Sequence, residues 1–261
     1  MEQWHYDPTA DLNPAVVQRL REIPHAPDVL VRSLRSLAAV VVRAWLRVYN
    51  RLTIVGRDNL PVDRSFILIA NHASHLDTLC MLAALPMARL HQTFPAAAKD
   101  YFCRTTLRTL LARVVINVLP FERYFAPWES LSVCAHLLEK ENTILLLFPE
   151  GTRSGGKEPG EFKPGVALLA AGHNIPVVPC HIAGTHAVLP KGAWCPRPGA
   201  VRLTIGAPRL YAHLPATKEA ARLICGELRN AVMALGNAEP ETAAGRRVGL
   251  SQAQLTSGAL P

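Results

Sequence analysis

Short apolar runs alternate with segments of helical period through the middle of the chain. Phe66-Ile67-Leu68-Ile69-Ala70 and Ile144-Leu145-Leu146-Leu147 are unbroken apolar stretches of strand length, the pattern of strands covered on both faces. Residues 52–56 and 201–205 also read as strands, and Ile175-Pro176-Val177-Val178-Pro179 leads into another. Residues 77–85 read as a helix with Asp77 placed to cap it. Pro95-Ala96-Ala97-Ala98-Lys99 leads into a helix reaching Arg113, and residues 114–119 form a β-branched run. A later helix turns Leu131, Cys134, Leu137 and Leu138 inward. Phe162-Lys163-Pro164-Gly165 opens a short helix to Ala171, and residues 217–235 form a last helix that Gly236 is placed to end. This alternation predicts an α/β domain whose mixed, largely parallel sheet is flanked by helices, spanning residues 51–236.

The front of the chain needs its own reading. Residues 1–27 are polar, carry four prolines, and read as an arm with a short helix around 14–22. Residues 28–50 are apolar but hold Arg32, Arg35, Arg43 and Arg47, and their longest charge-free run is 36–42. That is far short of the roughly 20 apolar residues a membrane span needs. Plotted at about 100° per residue, the arginines share an arc of about 120°. Leu34, Leu37, Val41, Trp45 and Val48 lie opposite. The pattern predicts an amphipathic helix at a membrane interface, with its arginines on the wet face. An ordinary helix packed on its own domain has the same periodicity. From Asn237 onward the composition predicts a flexible tail.

The formal net charge of +8 and a pI of 9.5 favour anionic partners. Zinc-finger spacing, aromatic RNA-binding motifs and long Lys/Arg runs are all missing, so nucleic acid is not the expected partner. The six cysteines include no CxxC unit and sit in apolar surroundings, which predicts reduced thiols in a cytosol and no structural zinc. The first residues, Met-Glu-Gln-Trp-His-Tyr-Asp, have neither part of a cleaved signal peptide, so none is expected.

Two motifs carry the chemistry, each on the loop after a buried strand, where open α/β sheets bind ligands. The first is Asn71-His72-Ala73-Ser74-His75-Leu76-Asp77. A spacing of five does not place two side chains on one helix face. With His72 on the loop and Asp77 at the helix start, the carboxylate can accept Nδ1–H and leave Nε2 as a base. This is the base and orienter of a catalytic triad, with the nucleophile left to the substrate. A capping Asp and a satisfied core His give the same spacing, so the pair alone does not decide. Ser74 lacks a nucleophile elbow and suits a local turn hydrogen bond. The second motif is Phe148-Pro149-Glu150-Gly151-Thr152-Arg153-Ser154. Gly151 permits close backbone approach and Arg153 offers a planar fork for phosphate. Glu150 can hold Arg153 or bind a substrate hydroxyl.

Together these residues resemble the glycerolipid acyltransferases, the type that includes the 1-acyl-sn-glycerol-3-phosphate acyltransferases. Four blocks appear in order: Asn71-His72-x4-Asp77, Pro120-Phe121-Glu122-Arg123, Phe148 to Arg153, and Pro176-Val177-Val178-Pro179. The second departs from the commoner Phe-Ile-Asp-Arg. Ala98-Lys99 and Phe162-Lys163-x-Gly165 are smaller matches. The resemblance implies that His72, oriented by Asp77, deprotonates a glycerol hydroxyl, which takes the acyl group of an acyl-CoA or acyl-carrier protein. It assigns the acceptor head to Arg123, Glu150, Gly151, Thr152, Arg153 and Lys99, and the fourth block to a wall of the site. No metal or bound cofactor is implied. The expected acceptor is lysophosphatidate; glycerol 3-phosphate or a lyso-ornithine-type lipid is an alternative, as is a non-catalytic basic membrane module. The expected place of work is the cytoplasmic face of a membrane, with peripheral or monotopic attachment.

Overall fold

The computed structural model describes residues 14, 29–98, 117, 119–121, 127–154, 158–193 and 195–237. Seven strands form one sheet in the order β1-β7-β6-β2-β5-β3-β4. They are β1 (Thr53–Val55), β2 (Phe66–Ala70), β3 (Thr93–Ala98), β4 (Leu119–Phe121), β5 (Ile144–Leu147), β6 (Val177–Ala183) and β7 (Arg202–Ile205). Every pairing is parallel except β6 with β7. The mixed, largely parallel sheet flanked by helices is the fold the alternation predicts.

Among the described residues the helices are α1 (Val29–Val48), α2 (Leu76–Ala84), α3 (Pro127–Glu139), α4 (Gly165–Ala170), α5 (Thr185–Val188) and α6 (Lys218–Asn237). Successive β2 side chains serve opposite faces, because strand period is two. Ile67 and Ile69 join the core under α3, α4 and α6, while Phe66, Leu68 and Ala70 join the core under α1 and α2. All five are buried, which explains the unbroken apolar run.

The structure refines several expectations. Thr93–Ala98 is a strand: Thr93, Phe94 and Pro95 pair with β5, and Ala96 to Ala98 with β4, while the helix expected to follow as far as Arg113 lies outside the described residues. Alanine-rich sequence favours helix, and the available sheet edge overrides that weak preference. Gly236 lies inside α6 and does not end it. A Cβ there would stand 2.6 Å from His181 Nε2, so the glycine serves close helix-to-strand packing. The fourth block lies in the core: Val177 and Val178 are fully buried, one in each core.

The last correction concerns α1. Its arginines do not share one wet face. Arg35 is buried and donates to Asn117 Oδ1 at 3.3 Å. Arg43 donates to Leu82 O at 3.2 Å and Leu85 O at 2.5 Å, where the C-terminal carbonyls of α2 favour a cation. Burial lowers the pKa of both guanidinium groups. Only Arg32 and Arg47 are exposed. The helix packs on the domain through Leu46, Val42 and Ala39 and turns Leu30, Leu34, Leu37, Val41 and Val48 outward. Trp45 stacks on Tyr49 at 5.8 Å. Among the described residues no helix is long and apolar enough to cross a membrane. Apart from Pro14, the arm before Val29 lies outside the described residues, as does the tail after Asn237.

Candidate active site

The two motifs meet because their strands are neighbours. β2 and β5 pair in parallel with Ile69 opposite Leu147, so their following loops leave the same sheet edge together. Asn71 extends β2 with its side chain. Its amide donates to Ile182 O at 2.9 Å and accepts from Ile182 N–H at 2.7 Å, replacing a ladder step where the backbone turns away.

The turn that follows folds around Asp77. Its Oδ2 accepts from Ala73 N–H at 2.7 Å, from Ser74 N–H at 2.8 Å and from His72 Nδ1 at 3.0 Å. The fully buried Asp77 is therefore not the helix cap: α2 starts one residue earlier, and the carboxylate reaches back to the loop. With Nδ1 committed to a carboxylate, the imidazole proton sits there and Nε2 carries the lone pair. The His72 side chain is 18% exposed, so Nε2 can be reached from outside. Phe148 covers one ring face, with centroids 4.0 Å apart and planes 17° apart. Ser74 is buried and donates its hydroxyl to Leu189 O at 2.8 Å, as a turn residue does.

The second motif grips the first. Gly151 N–H donates to Phe148 O at 3.0 Å, closing a turn in which Gly151 has φ +71°, a conformation suited to glycine. The buried Glu150 accepts His72 N–H at 2.8 Å on one oxygen and Gly160 N–H at 3.0 Å on the other. Ser154 takes the other side of the same residue: its N–H and its hydroxyl donate to His72 O at 2.8 and 3.1 Å. Glu150 thus acts as a clamp on the histidine backbone, a contact absent from its reading as a partner of Arg153 or a ligand of the head group. Glu150→Gln should lower kcat by about 10–100-fold, since a small displacement of a reacting group is that costly. The KM for the acceptor should stay within about twofold. Steady-state kinetics checks this, and a change confined to KM would restore the ligand role.

Thr152 is exposed at the turn, and Arg153 is half-buried beside it. His75, on the first loop, has its pKa pushed down to about 4 by burial, then by the nearby Arg153 and His72, with Asp77 opposing. It is neutral at neutral pH. Lys99, Glu122 and Arg123 lie outside the described residues. Buried thiols offer no alternative nucleophile: burial pushes Cys134 up to about 12 and Cys225 to about 11, and raises Cys80 and Cys180 further. Among the described residues no three His, Cys, Asp or Glu side chains gather to hold a metal ion.

Comparison with known proteins decides what this arrangement belongs to. The family model described as Acyltransferase matches residues 51–183, half of the chain, and includes both loops. The chain belongs to the Acyltransferase family. The chloroplastic 1-acyl-sn-glycerol-3-phosphate acyltransferase BAT2 of Brassica napus is 28% identical over 84% of this chain and 62% of its own length. A 1-acyl-sn-glycerol-3-phosphate acyltransferase of Chlamydomonas reinhardtii is 31% identical over 70% of this chain and 52% of its own length. The chain thus spans between half and two thirds of these curated relatives. The 1-acyl-sn-glycerol-3-phosphate acyltransferase of Bacillus subtilis is 26% identical over 70% of this chain and 84% of its own length. The fold matches the crystal structure of the 1-acyl-sn-glycerophosphate acyltransferase PlsC from Thermotoga maritima, with a TM-score of 0.63 at 22% identity over 85% of this chain and 86% of that one.

Sequence reasoning anticipated the His72–Asp77 contact and the turn at Gly151, because each sits in a short motif. It missed the clamp formed by Glu150 and Ser154, whose hydrogen bonds join residues 78 and 82 positions apart.

Proposed function

We propose that this chain transfers a fatty acyl group from an acyl thioester to the free hydroxyl of 1-acyl-sn-glycerol 3-phosphate, giving phosphatidic acid. The observation that carries the mechanism is the His72–Asp77 pair at 3.0 Å, with Nε2 on the open side of a loop at the strand ends. Family membership and relatives named for this acceptor support the substrate.

His72 Nε2 takes the proton of the acceptor hydroxyl, and Asp77 stabilises the imidazolium that forms. The alkoxide oxygen attacks the thioester carbonyl. The C–S bond breaks, an ester C–O bond forms, and the departing thiolate takes the proton back from His72. The donor is acyl-CoA or acyl-carrier protein. Arg153, with Arg123 and Lys99 by family resemblance, binds the phosphate of the acceptor. The protein works attached to the membrane surface through α1, on the cytoplasmic side.

The test is free-thiol release from a long-chain acyl-CoA, and in parallel from an acyl-carrier protein, in mixed micelles. Release that requires lysophosphatidate, and exceeds that with glycerol 3-phosphate or lysophosphatidylcholine, is the expected result. Release without any acceptor would make the protein a thioesterase. Silence with both donors would make it a non-catalytic membrane module.

A further inference from the structure

Lys163 stands at the second motif without a role in the chemistry described so far. Its backbone is pinned there. Lys163 N–H donates to Pro149 O at 2.9 Å, within the turn itself. The preceding Phe162 is buried in the core under α3, α4 and α6, and Cys225 Sγ on α6 lies 3.5 Å from Lys163 O. The side chain then runs back over the turn. A Cβ placed on Gly151 would stand 2.9 Å from both Cε and Nζ of Lys163 and 3.0 Å from Cδ. The bare face of Gly151 is therefore the seat of this ammonium group.

Among the described residues the charge has no carboxylate counterpart. Glu150, the adjacent carboxylate, is committed to the N–H groups of His72 and Gly160. No ion pair joins Lys163 to a carboxylate among the described residues, and the side chain is exposed. An ammonium held against a turn, between the residue that clamps His72 and the arginine of the same motif, is built to receive an anion from outside. Its stem lies along the bare face of Gly151, which keeps the ammonium close to the turn.

We propose that Lys163 is a head-group residue, contributing with Arg153 to the recognition of a phosphomonoester lipid, and that Gly151 lacks a side chain in order to seat it. This rests on the acceptor named above, and it adds a residue that the four-block resemblance does not assign. It also gives Gly151 a second purpose beside its left-handed backbone.

The experiment measures binding of lysophosphatidate to the full-length protein without donor, by titration calorimetry in mixed micelles, beside 1-monoacylglycerol, which lacks the phosphate. Lys163→Met keeps the apolar stem over Gly151 and removes the charge. It should weaken lysophosphatidate binding about tenfold, the size of one charge-assisted contact, and leave monoacylglycerol binding unchanged. Lys163→Arg should recover most of the loss. Gly151→Ala should weaken lysophosphatidate binding likewise, and combining it with Lys163→Met should add little further. Equal affinity in wild type and Lys163→Met would overturn the inference, as would a loss shared by monoacylglycerol. Because binding is read without turnover, the two readings fail separately. Transfer to lysophosphatidate with a silent Lys163→Met removes only the role of Lys163. Lys163-dependent binding without transfer removes only the reaction.

Discussion

His72→Ala should cut acyl transfer to lysophosphatidate by about 10²–10⁴-fold, the usual contribution of a positioned general base. The fold should survive, because the side chain sits at a loop, against Phe148 and Asp77. Asp77→Asn tests the same geometry from the other side. The carboxamide oxygen can take the place of Oδ2 and still accept from Ala73 N–H, Ser74 N–H and His72 Nδ1–H, but it carries no charge. The imidazolium that forms at His72 then lacks its counter-charge. The rate should therefore fall, with the melting temperature much less affected. Asp77→Ala should instead destabilise the protein, since it leaves two buried N–H groups without an acceptor, at about 1–3 kcal/mol each. Transfer rates and thermal melts of the three variants give the check. Near wild-type turnover in His72→Ala would remove the proposed mechanism.

What the sequence makes legible here follows from how local each cause is. β2 and β5 are buried on both faces, so their apolar runs announce them. The His72–Asp77 contact closes within one turn, so both residues lie in one short stretch of sequence. Thr93–Ala98 is a strand only because β5 and β4 offer edges to it, and nothing in Pro-Ala-Ala-Ala records those neighbours. The grip of Glu150 on His72 crosses between two parallel strands, and no residue near Glu150 hints that its oxygens face backbone N–H groups. Helical periodicity likewise reports which side chains of α1 share a side. It cannot report which side the domain will take, because that depends on the carbonyls at Leu82 and Leu85 and on Asn117.

That last point sets the second large effect. Replacing Leu34, Leu37 and Val41 together with glutamate should lower binding to anionic phospholipid vesicles about a thousandfold. These side chains are 47%, 62% and 59% exposed and lie on the side of α1 turned away from the domain. Burial of each in the interfacial zone contributes about 1.5 kcal/mol at the low end of the usual range. Three such losses make about 4.5 kcal/mol, which corresponds to a factor on the order of a thousand. The native fold should be retained, since no core contact is removed. The arginines divide by position. Arg32→Glu and Arg47→Glu should each weaken vesicle binding by several-fold in a salt-sensitive way, as exposed cations near an anionic surface do at about 1 kcal/mol apiece. Arg35→Glu and Arg43→Glu should instead lower the melting temperature, because those side chains serve Asn117 and the end of α2. Vesicle sedimentation alongside thermal melts separates the two classes. Unchanged partitioning of the triple variant would place the membrane contact elsewhere on the molecule.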